Sequence, residues 1–280
     1  MTMPAGDPET ARGVDAAVRV ADRCGLADAD PVVLGETNNV VVWLRPHPVV
    51  ARVGRWPHSV ERLRREHSVA TALARSDAPI APPFAGARPI TDAPTGFVVT
   101  LWERLDGTAG SIDPIELGRS LRALHEHLAS YDGDLPDFRH DVRLARRALD
   151  DDRATAALAD EDRALLRRAI DTLVPRIAAD AVAARPLHGE PHGANLLATP
   201  AGPRWIDLED VCRGPVEWDL AFLPDESVAA FDDVDREVLS LMRVLNSART
   251  ATWCWVRVDV GDMRWHAEHH VAIVRAAMAG

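Results

Sequence analysis

The pattern of apolar residues changes once along this chain, and that change constrains the fold more than any other feature. Up to Trp102 the runs are short and rich in valine: Val40–Leu44 and Val49–Val53 flank the turn-forming Arg45-Pro46-His47-Pro48, and Phe97–Trp102 follows a proline-rich stretch. One helix is predicted among these strands. Ser59 stands at its cap, and Leu63, Glu66, Ala70 and Leu73 recur at intervals of three and four, so Glu66 shares a face with apolar residues. Beyond residue 107 the spacing is helical. Asp113-Pro114-Ile115-Glu116 supplies a cap, a proline at the first helical position and a carboxylate, ahead of Leu117, Leu121, Leu124 and Leu128. Further helices are predicted over Arg143–Leu149, Glu161–Ala184, Val234–Arg249 and Trp265–Met278. The expectation is an α+β protein: a small β-rich N-lobe over 1–102, a linker over Glu103–Gly107, and a larger, mainly helical C-lobe over 108–280.

Charge and cysteine usage narrow the function classes. A net charge of −11 repels polyphosphate backbones, so nucleic acid is not an expected partner and any bound anion must be held by local groups. Those groups can only be arginine among the basic side chains that stay charged, because the chain contains no lysine. Cys24, Cys212 and Cys254 have neither metal-ligand spacing nor the density of a disulfide framework, which fits a reducing cytoplasm. Met1–Glu9 lacks the basic start and apolar run of a signal peptide, and no segment approaches the roughly 18 apolar residues of a membrane span. A cytoplasmic protein with no membrane partner is expected.

Polar groups are densest in Leu187-His188-Gly189-Glu190-Pro191-His192-Gly193-Ala194-Asn195-Leu196-Leu197 and in Arg204-Trp205-Ile206-Asp207-Leu208-Glu209. Asn195–Ala198 and Arg204–Asp207 read as strands joined by Thr199-Pro200-Ala201-Gly202-Pro203. If Ala198 pairs with Arg204, Asn195 faces Asp207. An amide oxygen and a carboxylate so placed suit the oxygen coordination of magnesium, with Glu190 five residues before Asn195. These are the parts phosphoryl transfer requires: metal ligands for the phosphates and a carboxylate near the attacking hydroxyl.

At these residues the sequence resembles the aminoglycoside phosphotransferase family, a branch of the protein-kinase-like fold that also contains small-molecule kinases for choline and sugars. The resemblance covers most of the chain and is carried by His188-Gly189-Glu190-Pro191-His192, Asn195, Ile206-Asp207, Gly214-Pro215 and Asp219-Leu220-Ala221. It implies a two-lobed kinase-like fold and an ATP-dependent (or GTP-dependent) transferase with a small-molecule hydroxyl acceptor, an aminoglycoside or another amino alcohol or sugar, with antibiotic resistance as one outcome. By resemblance Glu190 takes the catalytic-base position, Asn195 and Asp207 the magnesium positions, and Asp219 a buried role bracing the loop. Glu190 departs from the family's usual aspartate. Arg52 stands where the family has its phosphate-binding lysine, with Glu66 as its helix partner; an arginine fork can grip phosphate oxygens and pair with Glu66. Gly35-Glu36-Thr37-Asn38-Asn39 stands where a glycine-rich phosphate cover belongs, with one glycine.

Other readings compete. His188, Glu190 and His192 could join Asp207 as zinc ligands of a hydrolase, although Pro191 argues against the helical spacing of metalloproteases. His188 and His192 read better as hydrogen-bonders that shape the loop. Arg52 could be a solvated strand residue and Glu66 an exposed helix carboxylate. Trp253, Trp255 and Trp265 read as core in preference to a substrate wall, and the acidic run from Asp225 to Asp235 as a solvated face. The alternative within the same fold is a nucleotide-binding regulatory protein that has lost turnover.

Overall fold

In a computed structural model the described residues are 8–36, 39–55, 57–110, 112–177 and 184–279. In chain order the elements are α1 (Pro8–Arg23), β1 (Asp30–Gly35), β2 (Val40–Arg45), β3 (Val49–Gly54), α2 (Pro57–Leu73), β4 (Ile90–Thr91), β5 (Val98–Glu103), β6 (Thr108–Ala109) and α3 (Pro114–Leu128). There follow α4 (Arg139–Ala148), α5 (Asp160–Arg176), β7 (Arg185–Leu187), β8 (Leu196–Thr199), β9 (Gly202–Trp205), β10 (Cys212–Gly214), α6 (Val216–Leu220), α7 (Asp225–Val228), α8 (Arg236–Val256) and α9 (Met263–Met278). The sheet-bearing N-terminal region and the helical C-terminal region are those of an α+β protein. They divide into two compact units, one of Met1–Asp113, Ser120–Gly133 and His192–Val211, the other of Pro114–Arg119, Asp134–Pro191 and Cys212–Gly280.

In the first unit an antiparallel sheet runs in the order β1-β2-β3-β5-β4. Strand alternation sends Val49, Ala51 and Val53 of β3 into a core shared with Val40, Val42 and Leu44 and with Ala16, Ala17, Val20 and Ala21 of α1. Each fully buried valine or leucine there contributes about 1.5–3 kcal/mol. Arg52, at the alternate position and paired in register with Val41 and Thr100, is turned away from that core, to the side where α2 meets β3 and β5. Gly54 lets α2 come close: a Cβ there would lie 2.7 Å from Leu63 Cδ1. Ser59, expected as the cap, instead lies two residues inside α2 and is buried.

The second unit packs α4, α5, α6, α8 and α9 around Leu166, Ala169, Trp218, Met242, Leu245 and Trp255. Helix α5 stops at Arg176, earlier than expected, with Pro175, which has no N–H to give, in its last turn. Residues 178–183 of the expected helix lie outside the described residues. Helix α8 runs on to Val256 and is capped by Asp235, whose side chain accepts from the backbone N–H groups of Glu237 and Val238. Trp265, expected in the core, is 61% exposed and stacks on His269, because it lies on the outward side of α9 from buried Ala267, Val271 and Val274. Among the described residues no helix is long and apolar enough to cross a membrane.

Candidate active site

In the first unit the structure brings Arg52, Glu66 and Asp207 together. The Arg52 guanidinium forks: Nη1 pairs with Glu66 Oε1, while Nη2 lies 2.7 Å from Asp207 Oδ1 and 3.2 Å from Glu209 Oε2. Helix α2 also holds the segment that presents Asp207. Leu208 N donates to Glu66 Oε1 (3.1 Å), Arg65 Nη2 donates to the Glu209 carbonyl (2.8 Å) and Arg62 pairs with Asp210 (3.0 Å). Asp207 adopts φ 64°, ψ 54°, a left-handed conformation that aspartate tolerates better than most residues. The next three residues form a short 3₁₀ turn, which carries Glu209 inward to the Arg52 fork.

Three carboxylates face one guanidinium in this buried place, and the charges do not cancel. Burial pushes the Glu66 carboxyl up to about 8, with Arg52 opposing the shift and Asp207 and Glu209 adding to it. Burial likewise pushes Glu209 up to about 7. Arg52 itself is held charged: burial lowers its pKa, but Asp207, Glu66 and Glu209 together raise it further. Burial thus holds protons on Glu66 and Glu209 to higher pH than exposed carboxyls would keep them, while Arg52 works against that shift.

The hairpin β8–β9 is one residue out of the expected register. Ala198 pairs with Pro203, and Leu197 with Arg204. The cause is the turn: Pro200 and Ala201 alone span from Thr199 to Gly202, whose φ of 97° permits the tight reversal, and Thr199 Oγ1 donates to the Gly202 carbonyl at 2.6 Å. Asn195 therefore sits opposite Ile206, its carbonyl accepting the Ile206 N–H at 2.9 Å, and Asp207 follows as the next residue.

The second unit holds Glu190. His188 and Gly189 donate their backbone N–H groups to the two oxygens of fully buried Asp219 (2.9 and 2.8 Å), and the Glu190 N–H reaches His188 Nδ1 at 3.3 Å. Gly189 at φ 92° makes this turn without strain. Glu190 Oε1 lies 3.3 Å from Arg249 Nη2, whose Nε is 2.5 Å from Asp141 Oδ2. Trp253 Nε1 donates to the same Asp141 oxygen at 2.9 Å. The polar partners Glu209, Asn39, Arg249 and Asp141 were not foreseen. Glu209 had a local signal, a second carboxylate two residues after Asp207, and Asn39 ends the stretch read as a phosphate cover; Arg249 and Asp141 had none, since their contacts join distant parts of the chain.

The donor set suits magnesium and a nucleotide. Asn195 and Asp207 are hard oxygen donors, and Asp207 keeps 31% of its side chain exposed. Arg52 Nε is buried with no hydrogen-bond partner among the described residues, so the fork retains a donor. Both observations fit a metal-bound phosphate. Among the described residues no group of three or more His, Cys, Asp and Glu side chains is placed to hold a metal ion.

Solved structures share this architecture. A choline/ethanolamine kinase family protein from Mesorhizobium loti is 18% identical over 95% of this chain and 94% of its own, with a TM-score of 0.66. An amicoumacin kinase, hAmiN, solved with AMP-PNP, Ca2+ and Ami, is 12% identical over 97% and 96%, with a TM-score of 0.73. A microcompartment-associated aminopropanol kinase is 19% identical over 92% and 94%, with a TM-score of 0.66. At these identities the likeness establishes the fold, that of the small-molecule kinases. The model of the phosphotransferase enzyme family, APH, matches residues 28–248, and the chain belongs to that family. It is accordingly a phosphotransferase. No sequence match to a curated protein is found.

Proposed function

We propose that this chain moves the γ-phosphate of ATP, or of GTP, to a hydroxyl of a small amino-bearing molecule, with magnesium held by Asn195 and Asp207. Magnesium bound there would neutralise phosphate charge and keep most of its shell as water and phosphate oxygens, which one carboxylate and one amide oxygen suffice to anchor. Arg52 grips phosphate oxygens while Glu66 fixes the guanidinium from α2. Glu190 takes the proton of the attacking hydroxyl, and Asp219 keeps the Glu190 loop in shape through two backbone N–H groups. The N-lobe over 1–102, linker over 103–107 and C-lobe over 108–280 belong to this reading, as does a cytoplasmic location.

The observation that carries the proposal is the Arg52 fork, which joins Glu66 to Asp207 in one buried cluster. An amino-bearing acceptor is supported by the net charge of −11 and by the choline/ethanolamine and aminopropanol kinases that share the fold. One contact favours the regulator reading instead: Glu190 is held by Arg249. Nucleotide consumption against a panel of amino alcohols, sugars and aminoglycosides, with products weighed by mass spectrometry, decides. A phosphate added to an acceptor supports the kinase; nucleotide binding with no product across the panel supports the regulator.

A further inference from the structure

Asn39, at the foot of β2, touches neither Asp207 nor Arg52 in any contact described above, yet its Nδ2 donates to Glu209 Oε2 at 2.7 Å across 170 positions of sequence. We infer that Asn39 is a positioning residue for nucleotide binding: by donating to Glu209 it keeps the Arg52 fork turned toward Asp207. The inference rests on the nucleotide reading of that cluster.

The geometry of a shared acceptor supports it. Arg52 Nη2 divides between Asp207 Oδ1 at 2.7 Å and Glu209 Oε2 at 3.2 Å, and the same Glu209 oxygen takes its shorter bond from Asn39. With that amide removed, the buried carboxylate draws harder on the guanidinium, and Nη2 moves from Asp207 toward Glu209. Both Asn39 and Glu209 are 3% exposed, so solvent is poorly placed to replace the lost donor.

The residue type fits the task. Glu66, Asp207 and Glu209 already surround Arg52, and the site needs a donor that adds no charge; an amide is one, whereas an aspartate of the same shape would set a carboxylate against a carboxylate. The amide is also turned this way at a cost. Asn39 Oδ1 is buried with no hydrogen-bond partner among the described residues. A residue serving packing alone would better be apolar, since a buried unpaired acceptor is unfavourable.

The test is a set of near-isosteric variants titrated with magnesium–AMP-PNP by calorimetry, with circular dichroism to verify folding. Asn39→Asp should weaken binding about tenfold or more. Combined with Glu209→Gln, whose amide can donate to the carboxylate introduced at position 39 and so restore the hydrogen bond with its polarity reversed, it should come back to within about threefold of Glu209→Gln alone. A residue that only fills space would show the same loss in both backgrounds, and that result, or wild-type affinity in Asn39→Asp, overturns the inference. If Asn39→Asp does not fold, Asn39→Ala takes its place, and its loss must be at least about threefold smaller in the Glu209→Gln background than in the wild type. No binding of magnesium–AMP-PNP by the wild-type protein would instead bring down the nucleotide reading, and this inference with it.

Discussion

Arg249 Nη2 lies 3.3 Å from Glu190 Oε1, at the far limit of a charge-assisted hydrogen bond. The family's usual residue at position 190 is aspartate, shorter by one methylene of about 1.5 Å, and a carboxylate so withdrawn would lose this partner. The longer side chain and the buried arginine of α8 thus belong together. Glu190→Gln is expected to lower kcat by about two orders of magnitude with nucleotide affinity unchanged, because it removes a proton acceptor without altering length. Glu190→Asp should retain more activity than the glutamine variant. Turnover of the acceptor found in the panel checks both, and a glutamine variant with normal kcat moves the base elsewhere, with His192 next to be tried.

Asp207→Ala should weaken magnesium–nucleotide binding by about one to two orders of magnitude. The substitution removes a hard oxygen donor and also one arm of the Arg52 fork, whose Nη2 is then left to Glu209. Calorimetry with magnesium–AMP-PNP measures the loss, and unchanged affinity in a folded variant removes Asp207 from the site.

The carboxyl cluster makes stability depend on pH in an unusual direction. Glu66 has its carboxyl raised from 4.5 to about 8 in the folded protein, and Glu209 from 4.5 to about 7, both first by burial. Below 4.5 the folded and unfolded states are both protonated at these groups, and no difference arises. Between 4.5 and about 7 to 8 the unfolded chain has released protons that the folded one retains, so stability falls as pH rises through that window. Glu66→Gln cannot titrate and should flatten the trend. Thermal melts from about pH 5 to about pH 8 should show the wild type losing ground to the variant; parallel curves would mean that Glu66 ionises normally in the fold.

What the sequence disclosed here, and what it hid, follows the range of the interactions. Strands β2, β3 and β5 and the start of α3 are written in local valine runs and in Asp113-Pro114, and the structure has them. Asn195 and Asp207 could be singled out because a motif fixes their spacing, and Arg52 and Glu66 because they stand on a strand and a helix where the resemblance places a phosphate-binding cation and its partner. Glu209 was visible as a residue but not as a member of the cluster, since a strand reading up to Asp207 does not foresee the left-handed conformation there that swings Glu209 inward. The hairpin register failed by one because the two-residue turn depends on the φ of Gly202. The Asn39–Glu209 and Arg249–Glu190 contacts were illegible for a different reason: the partners are 170 and 59 positions apart, and a single buried amide or arginine leaves no periodic trace.

The acceptor's charge is the remaining prediction, and local contacts sharpen it. In the acidic run, Asp225 pairs with Arg243 at 2.8 Å and Asp235 caps α8, so neither is available in full to attract a ligand. The Glu190–Arg249–Asp141 group sets two carboxylates against one guanidinium, and its surplus of negative charge lies at the side chain proposed to receive the hydroxyl proton. A cationic amino alcohol is drawn there by that surplus and by the field of a chain carrying −11, and exposed parts of such a field are screened over about 10 Å at 0.1 M salt. The panel should therefore yield at least one phosphorylated cationic amino alcohol, with KM rising several-fold as salt is raised from about 0.05 to about 0.5 M and kcat nearly constant. Asp141→Asn, which removes one of the two carboxylates, should raise KM for that acceptor more than for a neutral sugar. Phosphorylation confined to neutral acceptors, or a KM indifferent to salt, would discard the cationic class while leaving the phosphotransferase intact.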